Sequence, residues 1–213
     1  MLTMDLFIVS KSIFSHPKKM TTSIETNREL IVGHERKLAN LIAREVIDKP
    51  TLSLWMIVIP IVFVYYFYGL NRYKSGKRGF VKHFLFSKGL ILDQAVEFLE
   101  NGTKPNFDEL ASREHVPDNA LEAHKNWTKS LYDHYLAMLE SEGDSYADLV
   151  KARYKNKGTY LLIVNQITNT EKQLYKALRK NLEKTDSSSR DVISKMAKSL
   201  EHLRRDEVNF MFG

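Results

Sequence analysis

The chain has 213 residues, 27% of them charged and 43% apolar, an average that fits one or two small folded units and excludes a disordered chain. It contains no cysteine, which excludes disulfide scaffolds, thiolate zinc sites, iron–sulfur clusters and cysteine nucleophiles. A formal charge of +6 and an isoelectric point near 9.3 would suit a nucleic-acid binder, so the location of the excess decides its meaning.

Residues 21–50 carry five basic and five acidic side chains, 51–70 none, 71–90 six basic and no acid, and 91–213 eighteen basic against twenty acidic. A nucleic-acid-binding domain spreads its basic residues over a folded face. Here the surplus is one block beside an uncharged run, the pattern of a membrane boundary, and no nucleic-acid partner is expected.

Residues 1–21 read as a flexible tail. The apolar stretch 6–14 is interrupted by Lys11, and the ordered regions of a signal peptide are absent. Residues 22–50 read as an amphipathic helix. Thr22 and Glu25 have capping-box spacing, and Ile24, Ile31, Leu38, Leu41, Ile42, Val46 and Ile47 recur every three, four or seven positions.

Residues 51–70 (TLSLWMIVIPIVFVYYFYGL) hold no ionisable Asp, Glu, His, Lys or Arg. At about 1.5 Å per residue such a helix is about 30 Å long, the depth of a bilayer's hydrocarbon core, and a transmembrane helix is predicted. Trp55 lies near one end and Tyr65, Tyr66 and Tyr68 near the other, where interfacial aromatics belong. Pro60 removes one backbone hydrogen bond and predicts a kink. A hairpin broken at Pro60 that returns to the same side is the weaker alternative, because each half is short for a crossing.

Residues 71–90 form a basic collar and the start of a helix, with Arg72, Lys74, Lys77, Arg78 and Lys82 placed to meet anionic lipid headgroups. Six Lys/Arg follow the span within twenty residues and four precede it, namely Arg36, Lys37, Arg44 and Lys49. The positive-inside rule therefore favours a single pass through the cell (inner) membrane, with 21–50 outside and 91–213 in the cytoplasm.

The C-terminal region reads as helical throughout. Residues 80–100 carry an apolar face (Val81, Phe84, Leu85, Ile91, Leu92, Ala95, Leu99) that stops at Asn101 and Gly102. A short turn over 107–115 precedes Pro117, and Asp118 is expected to cap a helix over 119–141. Asp144 or Ser145 starts the next helix, which falters at Lys157 and Gly158. TYLLIV (159–164) is rich in β-formers but has no second strand to pair with, so a helix is predicted. Residues 159–210 then read as a coiled-coil-like hairpin. Its seam includes Val164, Ile167, Leu174 and Leu178 on one helix and Ile193, Met196, Leu200 and Leu203 on the other. Glu171, Asn181 and Glu207 interrupt the seam and are expected at a solvated edge.

No catalytic or cofactor pattern emerges. No histidine completes the Glu-x-x-His spacing of a di-iron bundle, and His-Glu-x-x-His, P-loop, dinucleotide and nucleophile-elbow motifs are absent. His124 and His134 are ten apart on one helix, about 80° apart around its axis, and read as helix-face residues rather than metal ligands. The expected fold class is all-α: a single transmembrane helix with a C-terminal cytoplasmic helical bundle. The expected function is a non-enzymatic interaction protein, an accessory subunit or scaffold that meets protein partners or a second copy through its helices. A single-span signal transducer relaying through the Pro60-containing helix is the alternative.

Overall fold

The computed structural model describes residues 17–47, 76–182 and 187–213. Among the described residues there are seven α-helices and one 3₁₀ turn, and no strand. The transmembrane prediction for 51–70 lies outside the described residues, together with Trp55, Pro60, Tyr65, Tyr66, Tyr68, Arg72 and Lys74. Among the described residues no helix is long and apolar enough to cross a membrane.

Helix α1 (Pro17–Ile47) starts earlier than its sequence pattern predicts. Proline is pre-organised for a first helical position, so Thr22 and Glu25 fall inside the helix rather than capping it. Ile24, Ile31, Leu38 and Ile42 are buried along one stripe, whose remaining positions are taken by buried Asn27 and Glu35. Leu41, expected on that face, is 43% exposed.

Helix α2 (Gly76–Asn101) runs antiparallel to α1. Arg28 pairs with Asp93 at 2.9 Å and Glu35 with Lys88 at 2.6 Å, and Leu38 and Ile42 share a core cluster with Phe84. As the number rises along α1 it falls along α2. Ile47 and Gly76 therefore lie at the same end of the bundle. Gly102 closes α2 as predicted, with φ +71 and a 2.9 Å bond from its N–H to the Phe98 carbonyl.

Residues 107–115, read as a turn, contain a short helix, α3 (Phe107–Arg113), capped by the Asn106 side chain. Asp118 caps nothing. The 3₁₀ turn Asp118–Ala120 follows Pro117 and leads into α4 (Leu121–Leu139). This helix is central, with eleven buried residues among its nineteen, and it packs against α1, α2 and the two helices that follow. Ser145 caps α5 (Tyr146–Tyr154) by accepting the Asp148 N–H at 3.2 Å. Gly143 is required just before it, since a Cβ there would lie 2.7 Å from the Asp148 Cβ.

Helices α6 (Lys157–Leu182) and α7 (Ser187–Phe212) form the expected antiparallel pair, and residues 159–164 are helical. Their apolar residues complete two clusters. The larger joins all seven helices, α3 through Leu110 and Ala111, around Ile31, Ile91, Leu131, Tyr135 and Leu178. The smaller lies toward the Ile47 and Gly76 end and joins Leu38, Ala39, Ile42, Ala43, Phe84, Met196 and Leu200.

Helix α1 contributes to both cores and packs against α2, α4, α5 and α7, so it belongs to the same helical body as 91–213.

Candidate functional site

The most distinctive chemistry is a polar network inside the bundle. Its centre is Glu35 on α1, whose Oε2 accepts from Lys88 Nζ at 2.6 Å and whose Oε1 accepts from the Tyr135 hydroxyl at 2.8 Å. The Lys88 ammonium also sits 4.3 Å from the centroid of the Phe84 ring. Burial pushes the Glu35 carboxyl upward, but Lys88, His34 and the two hydrogen bonds outweigh it and hold its pKa at about 2. Lys88, counted in sequence with the basic collar, is only 4% exposed. It belongs to the interior and not to a membrane face.

His34, the neighbour of Glu35, stacks on Tyr146 with ring centroids 3.6 Å apart and lies 3.0 Å from Glu207 Oε1. The Tyr146 hydroxyl also meets His134 Nε2 at 3.1 Å, while His134 Nδ1 meets the Tyr154 hydroxyl at 2.7 Å. Burial pulls the His134 pKa down to about 3, against the opposing pull of Glu35. The ring is therefore neutral, with one nitrogen donating and the other accepting. Burial likewise pushes the Tyr135, Tyr146 and Tyr160 phenols up.

A second ion pair joins α6 to α7. Arg204 Nη1 donates to Glu171 Oε2 at 2.6 Å and to Thr168 Oγ1 at 3.1 Å, and the Tyr175 hydroxyl donates to Glu171 Oε1 at 3.2 Å. Desolvation opposes the Arg204 charge, but Glu171 and Glu35 prevail and raise its pKa. Glu171 is 3% exposed, so its expected place at a solvated edge is corrected: a buried arginine makes that seam position habitable for a carboxylate. Glu207 is paired with His34, and the Asn181 side chain lies outside the described residues.

A separate polar pair underlies α3. His124 Nε2 and Glu114 Oε2 are 2.8 Å apart, with both side chains fully buried. Glu114 Oε1, Trp127 Nε1 and the Tyr132 hydroxyl find no hydrogen-bond partner among the described residues. His124 and His134 are thus interior residues and not ordinary helix-face histidines. Among the described residues no group of three or more His, Asp or Glu could hold a metal ion.

The structure separates the residues singled out in sequence. Lys77 and Arg78 lie in the first turn of α2, and Lys82 is exposed on it. Val164, Ile167, Leu174, Leu178, Met196 and Leu200 are buried, Leu203 packs partly buried against the smaller core, and Ile193 lies on α7. Apart from Ile193, whose side chain lies outside the described residues, these seam residues face the bundle's own interior. The network residues Glu35, Lys88, His34, Tyr135 and Arg204 were missed. A signal for one existed, because Glu35 falls four after Ile31 and three before Leu38 on the apolar stripe of α1.

Chemically, the network is self-contained. Glu35 and Glu171 pair with Lys88 and Arg204, Glu207 lies against His34, and the tyrosine hydroxyls bond to these carboxylates, to one another or to His134. Such an arrangement fixes the register of helices against one another. Comparison with protein-family models, with curated proteins and with solved structures finds no match.

Proposed function

We propose that this chain is a membrane-attached, non-enzymatic helical interaction protein, an accessory subunit or scaffold held at the cytoplasmic membrane face by residues 51–70. The observation that carries this reading is the uncharged twenty-residue run strung between two antiparallel, laterally packed helices. Residues 48–75 number twenty-eight, whereas two full crossings need about forty. The segment therefore enters and leaves the bilayer on one face, turning near Pro60, instead of passing through once.

Charge supports this arrangement. With both flanks on one side, four Lys/Arg before the run and six after it all obey the positive-inside rule. The modest asymmetry between the flanks no longer has to choose an orientation. The signal-transducer alternative loses its outer element, since α1 is part of the same bundle. For protein partners, Leu162 and Phe210 are 70% and 89% exposed on α6 and α7, while most of the seam is internal.

The absence of native cysteine makes the test clean. Ser23→Cys on α1 and Asn209→Cys on α7, both exposed positions, are treated with a membrane-impermeant maleimide in intact and in inverted vesicles. Both should react in the inverted vesicles only. Reaction from opposite faces would restore the single span, and release of the chain by alkaline carbonate would overturn membrane attachment.

A further inference from the structure

The helices bring together charges that are far apart in sequence. Around the smaller core stand Arg44 on α1, Lys82 on α2, Lys176 and Arg179 on α6, and Lys198 on α7, all exposed. Among the described residues none of the five is paired with a carboxylate. The stretches 36–44, 76–88, 172–182 and 195–200 contain no Asp or Glu at all. Leu41 and Phe86, 43% and 45% exposed, lie in the same half.

The opposite end is mixed in charge, with exposed Lys104, Lys151, Arg153, Lys155 and Lys157 beside several acids. Asp93, Glu97 and Glu100 on α2 and Glu140, Glu142 and Asp144 in the α4–α5 link are all exposed. The hydrogen bonds from Asn27 to the Leu139 and Ser141 carbonyls place that link beside the first half of α1. Acids do occur in the basic half: Glu201, three after Lys198, pairs with Lys172 at 2.6 Å, Glu45 follows Arg44, and Asp118 and Glu122 stand on the α4 flank, where Asn119 reaches the Ala177 carbonyl at 3.0 Å. The five cations named above nevertheless leave the smaller-core end basic.

We infer that the smaller-core end is a docking face for anionic lipid headgroups, so that the bundle stands on the membrane with its opposite end pointing away. This rests on the proposed membrane attachment and adds an orientation and a lipid class to it. Ile47 and Gly76 open toward that same end, which brings Lys176, Arg179 and Lys198 to the surface that the apolar run enters. Isolated Lys/Arg near such a surface strengthen binding about fivefold each. Electrostatic attraction and two half-exposed apolar side chains suit a lipid interface better than a nucleic-acid face.

The test uses the full chain, labelled with a nitroxide at Gln173→Cys near the basic end or Asn209→Cys on the far half of α7. It is mixed with phosphatidylcholine vesicles or with vesicles containing 30 mol% phosphatidylserine, about the anionic share that gives a strong surface potential. Flotation reads attachment, and relaxation by headgroup-tethered nickel reads proximity. The expected result is flotation with both vesicles and strong relaxation at 173 but not 209, only when phosphatidylserine is present. Lys176→Gln, Arg179→Gln and Lys198→Gln together should abolish that relaxation while leaving the circular-dichroism melt unchanged.

Flotation with equal relaxation at both positions, or relaxation indifferent to lipid charge, overturns this inference and leaves the anchor standing. Flotation with the anionic vesicles alone, with position 173 close, supports the docking face and removes the anchor. Flotation with neither removes both, and a shift of duplex DNA under those conditions assigns the face to nucleic acid instead.

Discussion

Lys88 on α2 donates to Glu35 on α1 at 2.6 Å, fifty-three positions away in the chain and with both side chains less than a tenth exposed. The pair sits between the two cores, so it fixes how far α1 can slide along α2. That register in turn sets which end of the bundle the apolar run leaves and re-enters.

Removing one partner should be costly. Lys88→Met leaves the Glu35 carboxylate buried without its cation, and denaturant unfolding should show a loss of about 3–5 kcal/mol. Adding Glu35→Leu should restore at least half of that, because the uncompensated charge has gone. Acid titration gives an independent check. The folded pKa of about 2 lies below the ordinary 4.5, so the contribution is fully present above about pH 4.5 and is lost as pH falls through about 2. Lys88→Met should remove that acid-sensitive component; an unchanged acid limb would refute the role given to Lys88.

His134 predicts a second, higher window. Around it stand His34 and Glu35 from α1, Lys88 from α2, Tyr146 and Tyr154 from α5, Tyr160 from α6 and Arg204 from α7. Its folded pKa, pulled to about 3 from 6.5, keeps the ring neutral while the unfolded chain takes up a proton below about pH 6.5. Stability should fall as pH drops from 6.5 toward 3, with a slope approaching about 1.4 kcal/mol per unit. His134→Gln should lower stability at pH 7 but flatten this slope between pH 6.5 and 4.5, where Glu35 does not yet contribute. Parallel curves for the two proteins would count against a neutral buried histidine.

Apolar faces and several helix ends were legible because they depend on local spacing and caps, whereas the start of α1 and the short helix α3 were not. Ser145, Gly102 and the α6–α7 pair illustrate this: each rests on residues within a few positions or on two matching stripes. The interior network was not legible, since Glu35 needs Lys88 from another helix and Glu171 needs Arg204 to be habitable. In sequence a lone carboxylate on an apolar stripe reads as an edge position. The packing of α1 into the bundle was not legible for a related reason. Charge asymmetry compares only the flanks of the apolar run, whereas the fate of α1 depends on long-range contacts such as Asn27 with the end of α4.

The Arg204–Glu171 pair gives a test within the hairpin. Arg204→Met strands Glu171 at 3% exposure and should cost about 3–5 kcal/mol in urea unfolding. Tyr175→Phe removes only a 3.2 Å hydrogen bond to the same carboxylate and should cost about 1 kcal/mol. If Arg204→Met behaved like a surface substitution, with a change below about 0.5 kcal/mol, Glu171 would have to be solvated after all.

The α5–α6 junction stores backbone strain at an ordinary residue. Lys155 has φ 64 and ψ −38, and the Asn156 N–H bonds to the Tyr154 carbonyl at 2.7 Å, a γ-turn of the strained hand. A side chain there is unfavourable, and glycine is not penalised. Lys155→Gly should therefore stabilise by about 0.5–1 kcal/mol despite the greater freedom it gives the unfolded chain. In a chain of this size that is a rise of about 2–4 °C per kcal/mol in the melting midpoint. Next to it, Asn156 Oδ1 accepts the Thr159 N–H at 2.9 Å and closes the start of α6, so Asn156→Ala should lower the midpoint by a similar amount. The two adjacent exposed positions should move stability in opposite directions in one calorimetric series, and a fall with Lys155→Gly would show that the turn is not strained.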